Sequence, residues 1–381
     1  MSARSSLREF MRQESSSGLL LITGAALGLL LANLPTRDLY NDVLEASFTI
    51  DSGFFYLSLT TAKVINYLLM SLFFLVVGME IKRELISGHL STKKSAIAPF
   101  IAAVGGMAIP AVLYLAIAGE GAGHGWAIPV ATDIALAVGV IALLGDRISF
   151  AMKTFLLALA VIDDIGAIAI IAFFYTDDLS LSWLGGGAAV YLALLLSFRT
   201  GRSSKYITVL CAITLWYCFY RSGIHPTLSG VLIGLALPQS EELEARLHPW
   251  SSFLVVPIFA LANTGVEISS TSLKAAVGSS IALAIFIALV VGKPLGIVAF
   301  TTFFSRVKVA EIPSRNGKLD LLATGSAAGI GFTVSIFIAK LAFKEESLQD
   351  IAIVAVIAAS IVSGLLSFIF ARGRWNSPVR S

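Results

Sequence analysis

Asp133, Asp163, Asp164 and Lys293 stand inside long apolar runs of this 381-residue chain. If those runs cross a membrane, each charge costs about 2.5–3.5 kcal/mol at the bilayer centre, on the order of 10 kcal/mol for the four. A structural bridge needs one acid and one base. Three carboxylates against one ammonium leave a surplus of acid, which suits a bound cation or exchangeable protons. Asp163 and Asp164 are adjacent in Leu159-Ala160-Val161-Ile162-Asp163-Asp164-Ile165-Gly166-Ala167. On a helix neighbours are about 100° apart, so one carboxylate can face a watery cavity while the other turns toward a partner on the next helix. Their proximity raises the proton affinity of the pair and couples its titration. Hard cations such as sodium prefer oxygen ligands, by the argument that governs calcium and magnesium.

The elements that must carry these groups are membrane helices. Hydrophobic residues make up 57% of the chain and charged residues 13%, about half the charge of a soluble domain. Segments of about 20 apolar residues recur throughout, the length that crosses a hydrocarbon core, and no alternating barrel pattern occurs. We expect an all-α integral membrane protein with about twelve spans, near 16–34, 59–80, 95–118, 125–144, 150–175, 179–198, 205–220, 223–238, 249–267, 278–304, 319–342 and 348–371. No stretch suffices for a soluble domain, so residues 1–381 read as one transmembrane domain. The basic residues concentrate on alternate loops: Arg4, Arg8 and Arg12, then Lys82, Arg83, Lys93, Lys94, Arg147 and Lys153, then Arg199, Arg202, Lys205, Arg246, Arg306, Lys308, Arg315 and Lys318, and last Arg372, Arg374 and Arg380. Arg37, Lys63, Arg221, Lys274 and Lys344 fall opposite. By the positive-inside rule both termini are cytoplasmic. The polar N-terminus lacks a cleavage motif, so a removed signal peptide is not expected.

The longest expected loop, Pro35 to Leu57, contains Ser47-Phe48-Thr49-Ile50 and Phe54-Phe55-Tyr56-Leu57 around Asp51-Ser52-Gly53. Two β-prone runs about a glycine turn read as an external hairpin with an edge to offer a second copy, or else as an irregular loop. Cys211 and Cys218, seven apart on one expected helix, give neither a disulfide framework nor a metal site and read as small apolar fillers. The net charge of +3 does not suggest nucleic acid.

Two spans carry break signals. Pro129 precedes Thr132 and Asp133, whose side chains can bond the backbone locally, and Gly329 and Gly331 weaken the eleventh span. Both breaks fall in the second helix of a three-helix set, spans 3–5 and 10–12, and those sets run in opposite directions. Inverted repeats with paired broken helices that cross mark a transporter site near the midplane.

With Ala131-Thr132-Asp133, Val161-Ile162-Asp163-Asp164-Ile165-Gly166-Ala167-Ile168 and Gly292-Lys293-Pro294-Leu295-Gly296 in this order, the chain resembles the NhaA family of bacterial sodium/proton antiporters. Phe74 to Leu85, Ser222-Gly223-Ile224-His225 and Leu247-His248-Pro249-Trp250 support the resemblance. It covers essentially the whole chain. It implies that Asp163 and Asp164 bind the ion, that Thr132 and Asp133 lie at the crossing of the broken helices, and that Asp133 and Lys293 balance the half-helix ends. It assigns Glu80, Arg83, Glu84, Glu244 and His248 to a cytoplasmic funnel of pH activation, with His225 a further regulatory candidate. It implies an electrogenic, multi-pass inner-membrane exchanger of Na+ and Li+ for H+, without cofactor or enzymatic activity. A homodimer joined partly through the hairpin follows as well. The pattern departs from familiar members at Ala245, where they place a histidine, and at Pro226.

Other classes fit less well. A sodium-coupled symporter of an organic anion would want polar and aromatic groups around its substrate, whereas Ala, Val, Ile and Gly surround Asp163. An intramembrane aspartyl protease needs carboxylates from separate helices sharing one water, which a tandem pair does not offer. An ATP-driven pump needs G-x-x-x-x-G-K-[ST], and the chain has none.

Overall fold

A computed structural model describes residues 3–53, 56–176, 179–311 and 318–372. In chain order the elements are α1 (Ala3–Asn33), α2 (Arg37–Glu45), strands β1 (Ser47–Asp51) and β2 (Tyr56–Thr60), α3 (Thr61–Ile86) and α4 (Lys93–Ile117). A tight 3₁₀ segment, Gly123–Val130, precedes α5 (Ile134–Leu143), α6 (Phe150–Phe174), α7 (Leu181–Arg199), α8 (Lys205–Ser222) and α9 (Leu228–Ala236). Then come α10 (Glu241–Asn263), α11 (Ser270–Gly278), α12 (Ser280–Arg306), α13 (Lys318–Ala328), α14 (Phe332–Ala342) and α15 (Glu346–Arg372).

Among the described residues nine helices are long and apolar enough to cross a membrane, ten when the α13–α14 pair, bent by 48°, counts as one span. Two expected spans lie outside that count. The run at 205–220 is α8, and the run at 223–238 holds a helix over only Leu228–Ala236. Pro226 sits in the turn before α9, and Pro238 disfavours helical geometry at Leu237, which is extended.

Three long helices contain π-helical turns, and in two of them a proline follows. In α12 the stretch Ala288–Gly292 precedes Pro294, and in α10 Ser251–Val255 precedes Pro257. A proline ring clashes with the carbonyl four residues back, here Val290 and Phe253. The wider turn relieves that clash and lets both helices continue.

The chain divides into two compact units, residues 1–20, 87–167 and 266–381 in one and 21–86 and 168–265 in the other. In the first unit α4 and α12 pack backbone to backbone. A Cβ at Gly105 would strike the Gly296 carbonyl, and one at Gly296 the Gly105 carbonyl. Such small-residue contacts are how helices attract one another where lipid removes the hydrophobic drive.

In the second unit α9 lies against α3 in the same manner, with Gly230 over the Ser71 carbonyl and Gly234 over that of Leu75. A π-helical turn in α3, Val64–Leu69, leaves the Tyr67 carbonyl open to Trp216 Nε1 at 3.1 Å and Ser71 Oγ at 2.5 Å. Strands β1 and β2 pair antiparallel, Ser47 with Thr60 through Asp51 with Tyr56. The second strand runs past the expected Phe54 to Leu57 and ends on Thr60, whose hydroxyl caps α3 by accepting from Lys63 N at 3.2 Å. Phe54 and Phe55 lie outside the described residues. Every residue of β1 is exposed. Cys211 and the buried Cys218 are free thiols on α8.

Candidate ion-exchange site

In the first unit both chain breaks meet. Pro129 closes the 3₁₀ segment, Ala131 to Asp133 run extended, and α5 restarts under the Asp133 side chain, whose Oδ1 accepts from Leu136 N at 3.0 Å. Gly329 to Gly331 interrupt the other span. A Cβ at Gly329 would crowd the Leu289 carbonyl at 2.6 Å and Ser363 Oγ at 2.9 Å, so the break holds a residue without one.

Each broken segment satisfies the other's orphan backbone groups. Asp133 N donates to the Ile330 carbonyl at 2.7 Å, and Ser335 Oγ donates to the Ile128 carbonyl at 2.6 Å. Asp133 Oδ2 accepts from Thr333 N at 3.0 Å and from Thr333 Oγ1 at 2.6 Å. One carboxylate therefore caps two helix N-termini, those of α5 and α14. Each carries about half a positive charge, so the single negative charge matches their sum.

Lys293 stands at the opposite kind of end. Its ammonium donates to the carbonyl of Val130, the last residue of the 3₁₀ segment, and pairs with Asp163 Oδ2 at 2.7 Å. Both charged side chains are fully buried. Thr132 Oγ1 lies 2.7 Å from Asp163 Oδ2 and 2.8 Å from the Ala328 carbonyl. A hydroxyl has one proton, so Thr132 can donate to only one of these acceptors at a time. Asp163 Oδ1 is buried without a hydrogen-bond partner among the described residues. Its lone pairs are open to accept a hydrogen bond or to ligate a cation. Asp164, the next residue on α6, is also buried.

Thr333 and Ser335 carry no sequence signal of their own as site residues. Both hydroxyls follow directly on the Gly329–Gly331 break, and a buried carboxylate such as Asp133 requires donors; that need was the available signal. Asp320 is a further buried acid, in the first turn of α13. An acid is stabilised there by the helix N-terminus.

The second unit gathers five of the six residues assigned to pH regulation. At the end of α3 and the start of α10, Arg83 pairs with the buried Glu244 and reaches Glu84 at 3.8 Å, while His248 Nε2 lies 3.6 Å from Glu80 Oε1. Lys82 donates to the carbonyls of Leu235 and Leu237 at 2.9 and 2.5 Å, tying α3 to the end of α9. His225 is apart from the group. It is buried beside Thr227, with Nδ1 2.7 Å from Oγ1, and meets Tyr67 edge to face at 5.0 Å. Ala245 is exposed on α10.

The model of the family described as Na+/H+ antiporter 1 matches residues 8–371. The chain belongs to that family. Na+/H+ antiporter NhaA of Salmonella typhimurium is 41% identical over 385 residues, covering 98% of this chain and 99% of the relative. NhaA 1 of Clostridium beijerinckii is 40% identical over 367 residues, covering 93% and 92%, and NhaA of Yersinia pseudotuberculosis is 44% identical over 350 residues, covering 89% and 88%. As a member of the Na+/H+ antiporter 1 family with nine to ten helices among the described residues long and apolar enough to span, the chain is a multi-pass membrane protein.

Proposed function

We propose that the protein exchanges sodium, and lithium, for protons across the bacterial inner membrane, with the cation and the protons using one site at Asp163 and Asp164. The buried Lys293–Asp163 pair, with Asp163 Oδ1 left unpartnered among the described residues, carries this reading. A buried ion pair is strongly destabilised when one partner is lost, so an empty site stays closed and near neutral. A desolvated cation can replace the ammonium because it offers the same charge to the same oxygen. Sodium held by Asp164 and Asp163 breaks the pair. Asp164 and Lys293 then release one proton each, so two protons move against one cation and each cycle carries net charge. No cofactor takes part, and no covalent chemistry occurs.

The supporting frame is a single domain of twelve spans built from inverted repeats, spans 3–5 and 10–12, with both termini cytoplasmic. Thr132 and Asp133 hold the crossing, and Gly329 and Gly331 permit the second break. The charges Glu80, Arg83, Glu84, Glu244 and His248 gate exchange by pH at the cytoplasmic face, with His225 a further regulatory group. A homodimer forms partly through β1, where Phe48 and Ile50, two residues apart on one face, are 61% and 56% exposed. The test is purified protein in vesicles carrying a pH gradient. Sodium and lithium should each collapse the gradient and potassium should not. A gradient untouched by sodium refutes the assignment.

A further inference from the structure

In the first unit a cavity of about 770 Å³ opens where α4 and α6 begin and the chain leaves α12. Its wall is apolar, with Pro99 and Ala98 from α4 and Phe150, Phe155 and Ala158 from α6. Its rim is basic. Lys93, Lys94 and Lys308 line it, and all three are exposed and make no ion pair among the described residues. Glu311 is the one carboxylate among the described lining residues. Thr154 Oγ1 is buried in the same lining without a hydrogen-bond partner among the described residues.

Lys308 also holds a left-handed backbone, φ 60°, alone among the described non-glycine residues. A glycine would end α12 there without the cost of about 1 kcal/mol that a side chain incurs. A strained residue that keeps a charged side chain on a cavity rim is an observation that function can explain.

We propose that this cavity binds an anionic phospholipid, the phosphate on Lys93, Lys94 and Lys308 and an acyl chain along the Phe150–Phe155 wall. Three ammonium groups against one carboxylate fit an anionic head group, and an apolar wall on spanning helices fits a hydrocarbon tail. A soluble anion would use the rim alone. The consequence for transport follows from position. Ala158 is five residues before Asp163 on α6, about 7.5 Å at 1.5 Å per residue, and Lys308 lies just past the helix that carries Lys293. The lipid would tie together the ends of the two helices that supply the Asp163–Lys293 pair.

The experiment uses full-length protein in bilayer nanodiscs with a trace of phosphatidylglycerol bearing a photoreactive acyl chain, and maps labelled peptides by mass spectrometry. Labels should fall on residues 150–158 and 95–99. Each basic residue near a membrane surface contributes about a fivefold gain in affinity for an anionic lipid. The triple variant Lys93→Gln, Lys94→Gln, Lys308→Gln should therefore lose labelling about ten- to a hundredfold. The triple Arg variant should retain it, and Glu311→Gln should increase it. Sodium-driven exchange in vesicles should rise with phosphatidylglycerol content in the wild type and not in the triple Gln variant. Equal labelling of wild type and triple Gln variant, equal labelling by a phosphatidylcholine probe of the same chain, or competition by soluble glycerol phosphate would each overturn the proposal.

Discussion

Asp133 tests the crossing of the two breaks, because its two oxygens cap two different helices. Oδ1 accepts from Leu136 N, and Oδ2 accepts from Thr333 N and Oγ1. Asp133→Ala removes both caps. The loss at α5 is an N-cap deletion, about 0.5–2 kcal/mol. At α14 the Thr333 amide and hydroxyl are buried and lose their acceptor, at about 1–3 kcal/mol for each unsatisfied group. The sum is about 2.5–8 kcal/mol. Asp133→Asn keeps one acceptor oxygen and turns the other position into a donor that faces donors, so one cap survives and the cost is about 1–3 kcal/mol. Reversible unfolding of the purified protein in mixed micelles, titrated with dodecyl sulfate, gives both differences. The order wild type, Asn, Ala is required, and Ala should also slow exchange because the site loses its frame. An Ala variant as stable as the wild type would refute the double-cap reasoning.

Three further outcomes follow from other contacts. Glu244→Gln removes the partner of Arg83 and should shift the pH of half-maximal exchange more than the maximal rate; an unmoved pH profile in vesicle assays would separate the cluster from regulation. Lys293→Gln removes the ammonium that faces Asp163 and Val130, and should abolish exchange or change the charge moved per cycle, read as membrane current in solid-supported vesicles. Tyr40 on α2 donates to the Leu261 carbonyl at 2.8 Å, and burial pushes its phenol up to about 12, although a backbone hydrogen bond at Gly265 pulls it down. Because the folded value exceeds the unfolded value of about 10, the bond's stabilisation is complete below pH 10 and fades as pH rises toward 12. Tyr40→Phe should cost about 1 kcal/mol at neutral pH and delete one late-titrating tyrosine from the absorbance titration.

What the sequence disclosed divides along physical lines. An ionisable group in an apolar run is expensive, so Asp133, Asp163, Asp164 and Lys293 stand out without any structure. The membrane-helical class follows from the same sparse charge, and the family from the motifs around those residues. Hydroxyls carry no such signal. Thr333 and Ser335 are cheap in a membrane helix, and their roles arise only because segments 200 or more residues apart cross. Hydropathy overstates a helix where prolines intervene, as at 223–238, where the run continues but the helix is Leu228–Ala236. The π-helical turns in α10 and α12 were likewise not legible, since a proline marks a stress in the ladder without saying how the chain relieves it.

The most direct measurement is sodium-driven proton movement in vesicles holding equal amounts of wild type, Asp163→Asn and Asp164→Asn, with insertion checked in each. One site shared by cation and protons predicts that either substitution stops exchange while the protein remains folded and inserted. Near wild-type exchange by either variant would contradict it.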